Sequence, residues 1–264
     1  MNAGEIKFID SAYEEIPWMR AENKKFATIH PVLFAEFLVE TAACHAIVAE
    51  KVIGYFCINE NRLIDFCIDR DYNEFAEELL RRIIREYDVK LVACLSENTI
   101  EIDACLRLGF SYKTLLHVFN EYDESFEPAG DMTFRLASGD DYEMLLSEEN
   151  GLYESPEELS FYVSGNPTRR LLLFYREKRF VGAGYLTLIP LQDEAVDIGM
   201  WVRPMYRGKG IALQIVAYLK KMVIAEGKLP VCTCMAENRI SRHVLQRNGF
   251  RNTCDFIAFT PPLR

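Results

Sequence analysis

The chain has 264 residues, half of them hydrophobic, with 27% charged and 12% aromatic; that is enough for one large core or two domains of ordinary size, with two the better expectation, and excludes a disordered, collagenous or coiled-coil chain. A net charge of −10 and a pI near 5.1 oppose binding to nucleic acid or an anionic membrane and favour a cationic partner such as a protonated amine. No apolar run approaches membrane-spanning length, and residues 1–16 carry acids without an apolar centre, so neither a membrane span nor a targeting peptide is expected and a cytoplasmic location follows.

In chain order, β-branched and aromatic runs predict strands at His45–Ala49, Val52–Ile58 and Leu63–Ile68, with Glu50-Lys51 turning the first hairpin. Ala76, Leu79, Leu80, Ile83, Ile84 and Tyr87 recur at helical spacing. A strand at Val89–Ala93 and an amphipathic helix through Ile102, Cys105 and Leu106 follow. The stretch Tyr122–Asp131 is acidic and holds Pro128 and Gly130, so it reads as a linker, with a boundary near residue 128. Beyond it, Ser138 can cap a helix over Gly139–Glu149, and Ser155-Pro156-Glu157-Glu158 opens another as a capping box. Strands at Leu171–Tyr175, Phe180–Leu188 and Val196–Val202, with a hairpin turn at Glu177-Lys178, precede a helix over Ala212–Val223, a strand at Val231–Thr233 and a helix through Val244 and Leu245. The eight cysteines form no CxxC pair and read as reduced, buried thiols, while the four histidines lack any ligand spacing, so no metal is expected.

The order repeats. Cys94-Leu95-Ser96-Glu97-Asn98 leads to Gly109-Phe110, and Cys234-Met235-Ala236-Glu237-Asn238 leads to Gly249-Phe250, at a constant offset of 140 residues. Each half reads strand, helices, three antiparallel strands, helix, strand, helix, strand. Two tandem α+β domains with mixed sheets are therefore expected, at residues 1–128 and 129–264.

Between the strand ending at Val202 and the next helix lies Arg203-Pro204-Met205-Tyr206-Arg207-Gly208-Lys209-Gly210-Ile211-Ala212. Two glycines let successive N–H groups turn into one concavity at a helix start, where the helix adds its unpaired first-turn donors and Arg207 and Lys209 add positive charge. A diphosphate site is the physical reading. A P-loop would need GxxxxGK followed by Ser or Thr, and a dinucleotide-binding turn would need a third glycine where Leu213 stands. At the corresponding place the first half has Asp69-Arg70-Asp71-Tyr72-Asn73-Glu74, with no glycine and three carboxylates that would repel a pyrophosphate.

Arg207-x-x-Gly210-x-Ala212 resembles the coenzyme A signature of the Gcn5-related N-acetyltransferase (GNAT) family, and Asp197, Val202, Pro204, Asn238 and Gly249-Phe250 stand around it in that family's pattern. The ending Phe256–Pro261, with Pro230-Val231-Cys232 and Leu245-Gln246, is similar to the glycine N-acyltransferase-like (FR47-like) branch. The resemblance implies acetyl-CoA as cosubstrate, with no metal, and a small-molecule amine or amino acid as acceptor. It makes Asp197 the catalytic base and puts Val202, Arg203, Arg207, Gly208, Lys209, Gly210, Ile211, Ala212, Asn238 and Ser241 on the cofactor. It also implies that the first half is a degenerate copy, and that the strands of Asp197 and Cys232 splay apart beside the pantetheine. The tyrosine that often protonates the leaving thiolate is replaced by Leu245; Tyr153, Tyr162 and Tyr185 are alternatives, whereas His243 lies about 200° around the helix from Leu245. That loss leaves a second reading open, a coenzyme A-binding sensor or pseudoenzyme.

Overall fold

The computed structural model describes residues 5–11, 43–123, 132–148, 152–153, 155–190 and 192–262. The linker expected around residue 128 lies outside them. The chain forms two compact units, one of residues 1–117 with 254–264, the other of residues 118–253.

In the first unit, β1 (Lys7–Ser11), β2 (Ala43–Val48), β3 (Val52–Asn59) and β4 (Arg62–Ile68) form an antiparallel meander. A 3-10 turn at Arg70–Phe75 feeds α1 (Ala76–Glu86), after which β5 (Leu91–Leu95) lies parallel to β4, followed by α2 (Thr99–Arg107) and β6 (Ser111–Tyr122). The helical spacing seen in the sequence is the buried stripe of α1: Ala76, Leu79, Leu80 and Ile83 pack with Ile47, Phe56, Leu63 and Phe66. Each such aliphatic side chain contributes about 1.5–3 kcal/mol on burial. The strand Phe250–Thr260 adds to this sheet beside β5, because Phe256–Phe259 pair antiparallel with Leu95–Val92.

In the second unit, β7 (Thr133–Leu136), α3 (Tyr142–Leu146) and α4 (Pro156–Val163) precede β8 (Arg169–Arg176), β9 (Arg179–Ile189) and β10 (Gln192–Val202). These four strands are antiparallel neighbours. Then come α5 (Ile211–Ala225), β11 (Leu229–Met235), parallel to β10, α6 (Arg239–Arg247) and β12 (Phe250–Thr260). Glu177 and Lys178 both adopt positive φ, 50° and 63°, the geometry of a two-residue hairpin turn. The helix expected over Gly139–Glu149 is shorter. It opens as a 3-10 turn and ends at Leu146, where the Ser147 hydroxyl turns back to donate to Met144 O at 2.6 Å. Ser155 caps α4 by accepting from Glu158 N, with Pro156 at the first helical position.

The sheet of this unit has two apolar faces. Val196, Ile198 and Val202 face α5 and α6, against Ile211, Ile215, Leu219 and Leu245. Trp201 and Ala183 face the other way, with Leu159 and Tyr162 of α4. A buried lysine, Lys220, ties the α5 side together by donating to Asn248 O at the end of α6 (2.6 Å) and to Asp123 O (3.1 Å). An ammonium at a helix C-terminus meets carbonyls that no N–H fills, which offsets the cost of its burial.

Candidate functional site

The β10–β11 ladder has three pairs, Ala195–Leu229, Val196–Pro230 and Asp197–Val231. β10 then runs on to Val202 and β11 to Met235 without pairing to each other. The strands therefore part at Asp197, and the gap lies along Ile198–Val202, with Cys232 and Cys234 on its far side. Both thiols are buried. Burial, then the charge of Asp197, pushes the Cys232 thiol well up, so it stays protonated.

The turn into α5 stands at the end of that gap. Gly208 and Gly210 have φ of +74° and +76°, left-handed values that a side chain would strain, and a Cβ at either would meet open space. Gly210 is the N-cap of α5. The N–H of Arg207 is spent on Pro204 O and that of Gln214 on Gly210 O. Among the described residues, the six N–H groups from Gly208 to Leu213 donate to no backbone carbonyl. Residues 207–210 are exposed, and Ile211, 3% exposed, anchors the helix below them. Exposed N–H groups converging at a helix start have the chemistry to hold an anion.

The expected site residues do not all converge on it. Arg207 reaches back so that its Nε donates to Val202 O at 3.0 Å, and the Lys209 ammonium sits 5.3 Å from the centre of the Tyr206 ring. The side chain of Arg203 turns to Glu148 instead, at 2.8 Å. Asn238 is exposed at the N-cap of α6, accepting from Ser241 N at 3.0 Å, so these two stand at a second helix start. Leu245, where the family's tyrosine would stand, is 2% exposed in the core.

Asp197 lies on the α4 face. It is opposite Thr187 in the β9–β10 ladder, and Thr187 is opposite Arg169 in the β8–β9 ladder, so the three form one row across the sheet. The Tyr162 hydroxyl caps the row, 3.2 Å from Thr187 Oγ1. The two other candidate tyrosines are committed elsewhere: Tyr185 OH donates to Leu152 O, and Tyr153 OH to Leu146 O at 2.8 Å. Burial pushes both the Tyr162 and Tyr185 phenols up. Thr187 escaped the sequence reading because a lone threonine in an apolar strand is ordinary. Only the register with Asp197 singles it out.

The first unit repeats the arrangement and fills it. β4 and β5 pair only at Arg62–Leu91 and Leu63–Val92 before parting. Across the gap Asn98, buried at the N-cap of α2, donates through Nδ2 to Phe66 O at 2.8 Å and to Glu101 Oε2 at 2.7 Å. The turn into α1 spends its own donors, with Asp71 N on Asp69 Oδ1 and Tyr72 N on Asp69 O. A cavity of about 410 Å³ between the start of α1 and the length of α2 is lined by Glu74, Glu77 and Asp103, with Arg107 as its one cation. Among the described residues, no group of three His, Cys, Asp or Glu could hold a metal ion, and no helix is long and apolar enough to cross a membrane.

A mixed sheet whose parallel strands part beside a glycine turn and a helix start defines the acyl-CoA N-acyltransferase class. The acetyltransferase (GNAT) family model matches residues 133–250, and a second model, of a GNAT acetyltransferase domain, matches residues 28–121. The chain belongs to the GNAT family and is a GNAT-type N-acetyltransferase with two such domains in tandem. No curated protein matches it. A solved GNAT-family acetyltransferase from Colwellia psychrerythraea is similar at 18% identity and a TM-score of 0.82, over 97% of this chain and 99% of that one. A tandem GNAT protein from the clavulanic acid biosynthesis pathway aligns at 12% identity and 0.64, over 97% and 98%. A GCN5-related N-acetyltransferase from Sphaerobacter thermophilus aligns at 13% and 0.64, over 98% and 97%. At these identities the likeness is one of fold.

Proposed function

We propose that the second domain transfers the acetyl group of acetyl-CoA to a primary amine of a small molecule or amino acid. The observation that carries this reading is the exposed turn from Arg207 to Ala212, whose N–H groups from Gly208 onward have no backbone acceptor, at the end of a gap that opens at Asp197. A pyrophosphate there would gain charge-assisted hydrogen bonds of about 1.5–3 kcal/mol each. The backbone along Val202 is the edge on which a pantetheine arm can pair, and the thioester then falls near Asp197. Fixed N–H dipoles in that gap stabilise negative charge on the carbonyl oxygen, usually a large term in acyl transfer.

The acceptor must lose a proton before it attacks. That costs about 4–5 kcal/mol at pH 7 for a lysine-like amine but only ~1 kcal/mol for an α-amino group. Asp197 is the base in this reading, acting through a water because aspartate is short. The net charge of −10 suits an acceptor that arrives protonated. A glycine-like acceptor follows from the narrower resemblance of the C-terminal segment. Thiolate, with a thiol pKa near 8.5, leaves at neutral pH without a strong acid, so Leu245 does not block turnover.

A second reading, a coenzyme A-binding sensor, is favoured by Leu245 itself, whose burial removes the usual acid. Calorimetry with coenzyme A, followed by a thiol-release assay over amines and amino acids, separates them. Micromolar binding with acceptor-dependent thiol release is expected, and binding without release for any acceptor would favour the sensor.

A further inference from the structure

We propose that the hydroxyls of Tyr162 and Thr187 position Asp197 as the base, with Tyr162 donating to Thr187 and Thr187 donating across the β9–β10 ladder to the Asp197 carboxylate. This rests on the acyl-transfer reading above and adds two residues to its site.

Three observations carry it. Thr187 and Asp197 are direct partners in the antiparallel ladder, and such partners share one face with their Cβ atoms about 4.5–5.5 Å apart, within reach of a hydroxyl and a carboxylate. Tyr162 OH lies 3.2 Å from Thr187 Oγ1, and both residues are buried, at 8% and 5% exposure. The Tyr162 ring is held edge-on against Tyr185 at 5.3 Å, and Tyr185 is itself tied to Leu152 O, so the phenol is fixed in place. Donation from Thr187 to the half-buried carboxylate on the same strand row would fix its rotamer and favour its charged form.

In the Tyr162–Thr187 pair either hydroxyl can donate, and the proposal assigns the proton to Tyr162. Burial, outweighing the Thr187 hydrogen bond, raises the Tyr162 phenol, and the Asp197 charge adds to the rise, so Tyr162 keeps the proton that the proposal gives to Thr187. Thr187 then has its own proton to give. The titratable groups around this row are Glu158 and Tyr162 from α4, Arg169 from β8 and Tyr185 from β9, with Cys232 of β11 on the opposite, α5 face of the sheet. Glu158 and Arg169 are the two ionic side chains among them, so substitution there tells a charge effect apart from a hydroxyl effect. Tyr162 and Thr187 are positioning residues: they act through Asp197.

The test uses the full chain with acetyl-CoA and the best amine of the panel. Tyr162→Phe and Thr187→Val should each lower kcat about tenfold, leave KM for acetyl-CoA unchanged and move the acidic limb of the kcat/KM profile up by ~0.5–1 pH unit, because a carboxylate that loses a donor protonates more readily. Thr187→Ser should restore both. Glu158→Gln should move that limb the opposite way, toward lower pH, by removing a negative charge. If the limb stays put in both hydroxyl variants while thermal melts fall, the pair is structural only and the proposal is overturned. A wild-type chain that binds no coenzyme A and releases no thiol would instead sink the acyl-transfer reading, and this inference with it.

Discussion

After β10 the chain enters α5 through Gly208 and Gly210, both left-handed, whereas after β4 it enters α1 through Asp69–Phe75, with no glycine and no residue at positive φ. The two turns occupy the same step of the same fold. In the second unit the N–H groups at the helix start donate to no backbone carbonyl among the described residues. In the first, Asp69 takes two of the donors, the chain winds as a 3-10 helix directly into α1, and carboxylates line the cavity beside it. The same contrast recurs across each gap. Asn98 is buried and bridges to β4, while Asn238, its counterpart in the repeat, is exposed and only caps its own helix. Spending those dipoles internally, as the first unit does, would remove an anion site from this fold. The scaffold need not change.

The largest effect expected from this contrast is at Gly210. Gly210→Asp forces a side chain into φ of +76° and sets a carboxylate beside the N–H groups of that turn, so coenzyme A affinity should fall at least 100-fold, about 2.7 kcal/mol. Asn73→Asp in the acidic turn should leave that affinity unchanged. Calorimetry on both variants decides it, and equal losses would break the comparison.

Next in size are the paired asparagines, read by urea unfolding. Asn98→Ala removes two buried hydrogen bonds as well as the N-cap of α2, and leaves Phe66 O and Glu101 without their donor; a loss of ~2–3 kcal/mol is expected. Asn238→Ala removes an exposed cap and should cost only ~0.5–1 kcal/mol. Similar costs would mean that Asn98 does not bridge the gap.

Much of this contrast is legible in the sequence, for a physical reason. Glycines, carboxylates and strand periods are local signals, so the offset of 140 residues, the two tandem folds and the different turns can all be read from the chain. Partners across space cannot. Nothing in Phe256–Phe259 says that this strand pairs with β5, nothing in Arg203 says that its charge goes to Glu148, and Thr187 gains meaning only through its register with Asp197. The helix expected over Gly139–Glu149 ends at Leu146, where the Ser147 hydroxyl takes a backbone carbonyl, an interaction that periodicity does not encode.

A third prediction concerns Glu101, which has no counterpart carboxylate in the second unit, where Ser241 stands at the repeat offset. It is fully buried, its Oε1 has no hydrogen-bond partner among the described residues, and burial first, then the Asp65 charge, pushes its carboxyl well above the ordinary 4.5. The folded protein therefore holds this proton more tightly than the unfolded chain. Its contribution is intact below about pH 4.5 and is lost as pH rises, with a slope of at most ~1.4 kcal/mol per pH unit. Glu101→Gln should flatten the fall in urea stability between pH 5 and 8. An unchanged slope would show that the carboxyl is not a titrating group of the folded state.

The smallest effect has the opposite sign and belongs to the second unit. The Asp141 carboxylate, 9% exposed, accepts from Arg135 at 2.6 and 2.7 Å and from Ser138 N at 2.9 Å. The Arg135 hydrogen bonds lead, against burial, in bringing its pKa from 3.8 down to about 2. The folded state here resists the proton, so the stability it supplies is full above about pH 4 and is lost as pH falls toward about 2. Because Arg135 is half exposed, the shift is worth ~1–2 kcal/mol after discounting for solvent. Asp141→Asn should therefore be less stable than the wild type by that amount at pH 6, and the two unfolding curves should converge as pH drops below 3. Measured beside Glu101→Gln, it turns the comparison of the units into one of proton linkage: one buried carboxyl is an internal spacer that must stay neutral, the other an anchor that must stay charged. Curves that keep their separation at pH 2.5 would mean that Asp141 holds α3 by shape and not by charge.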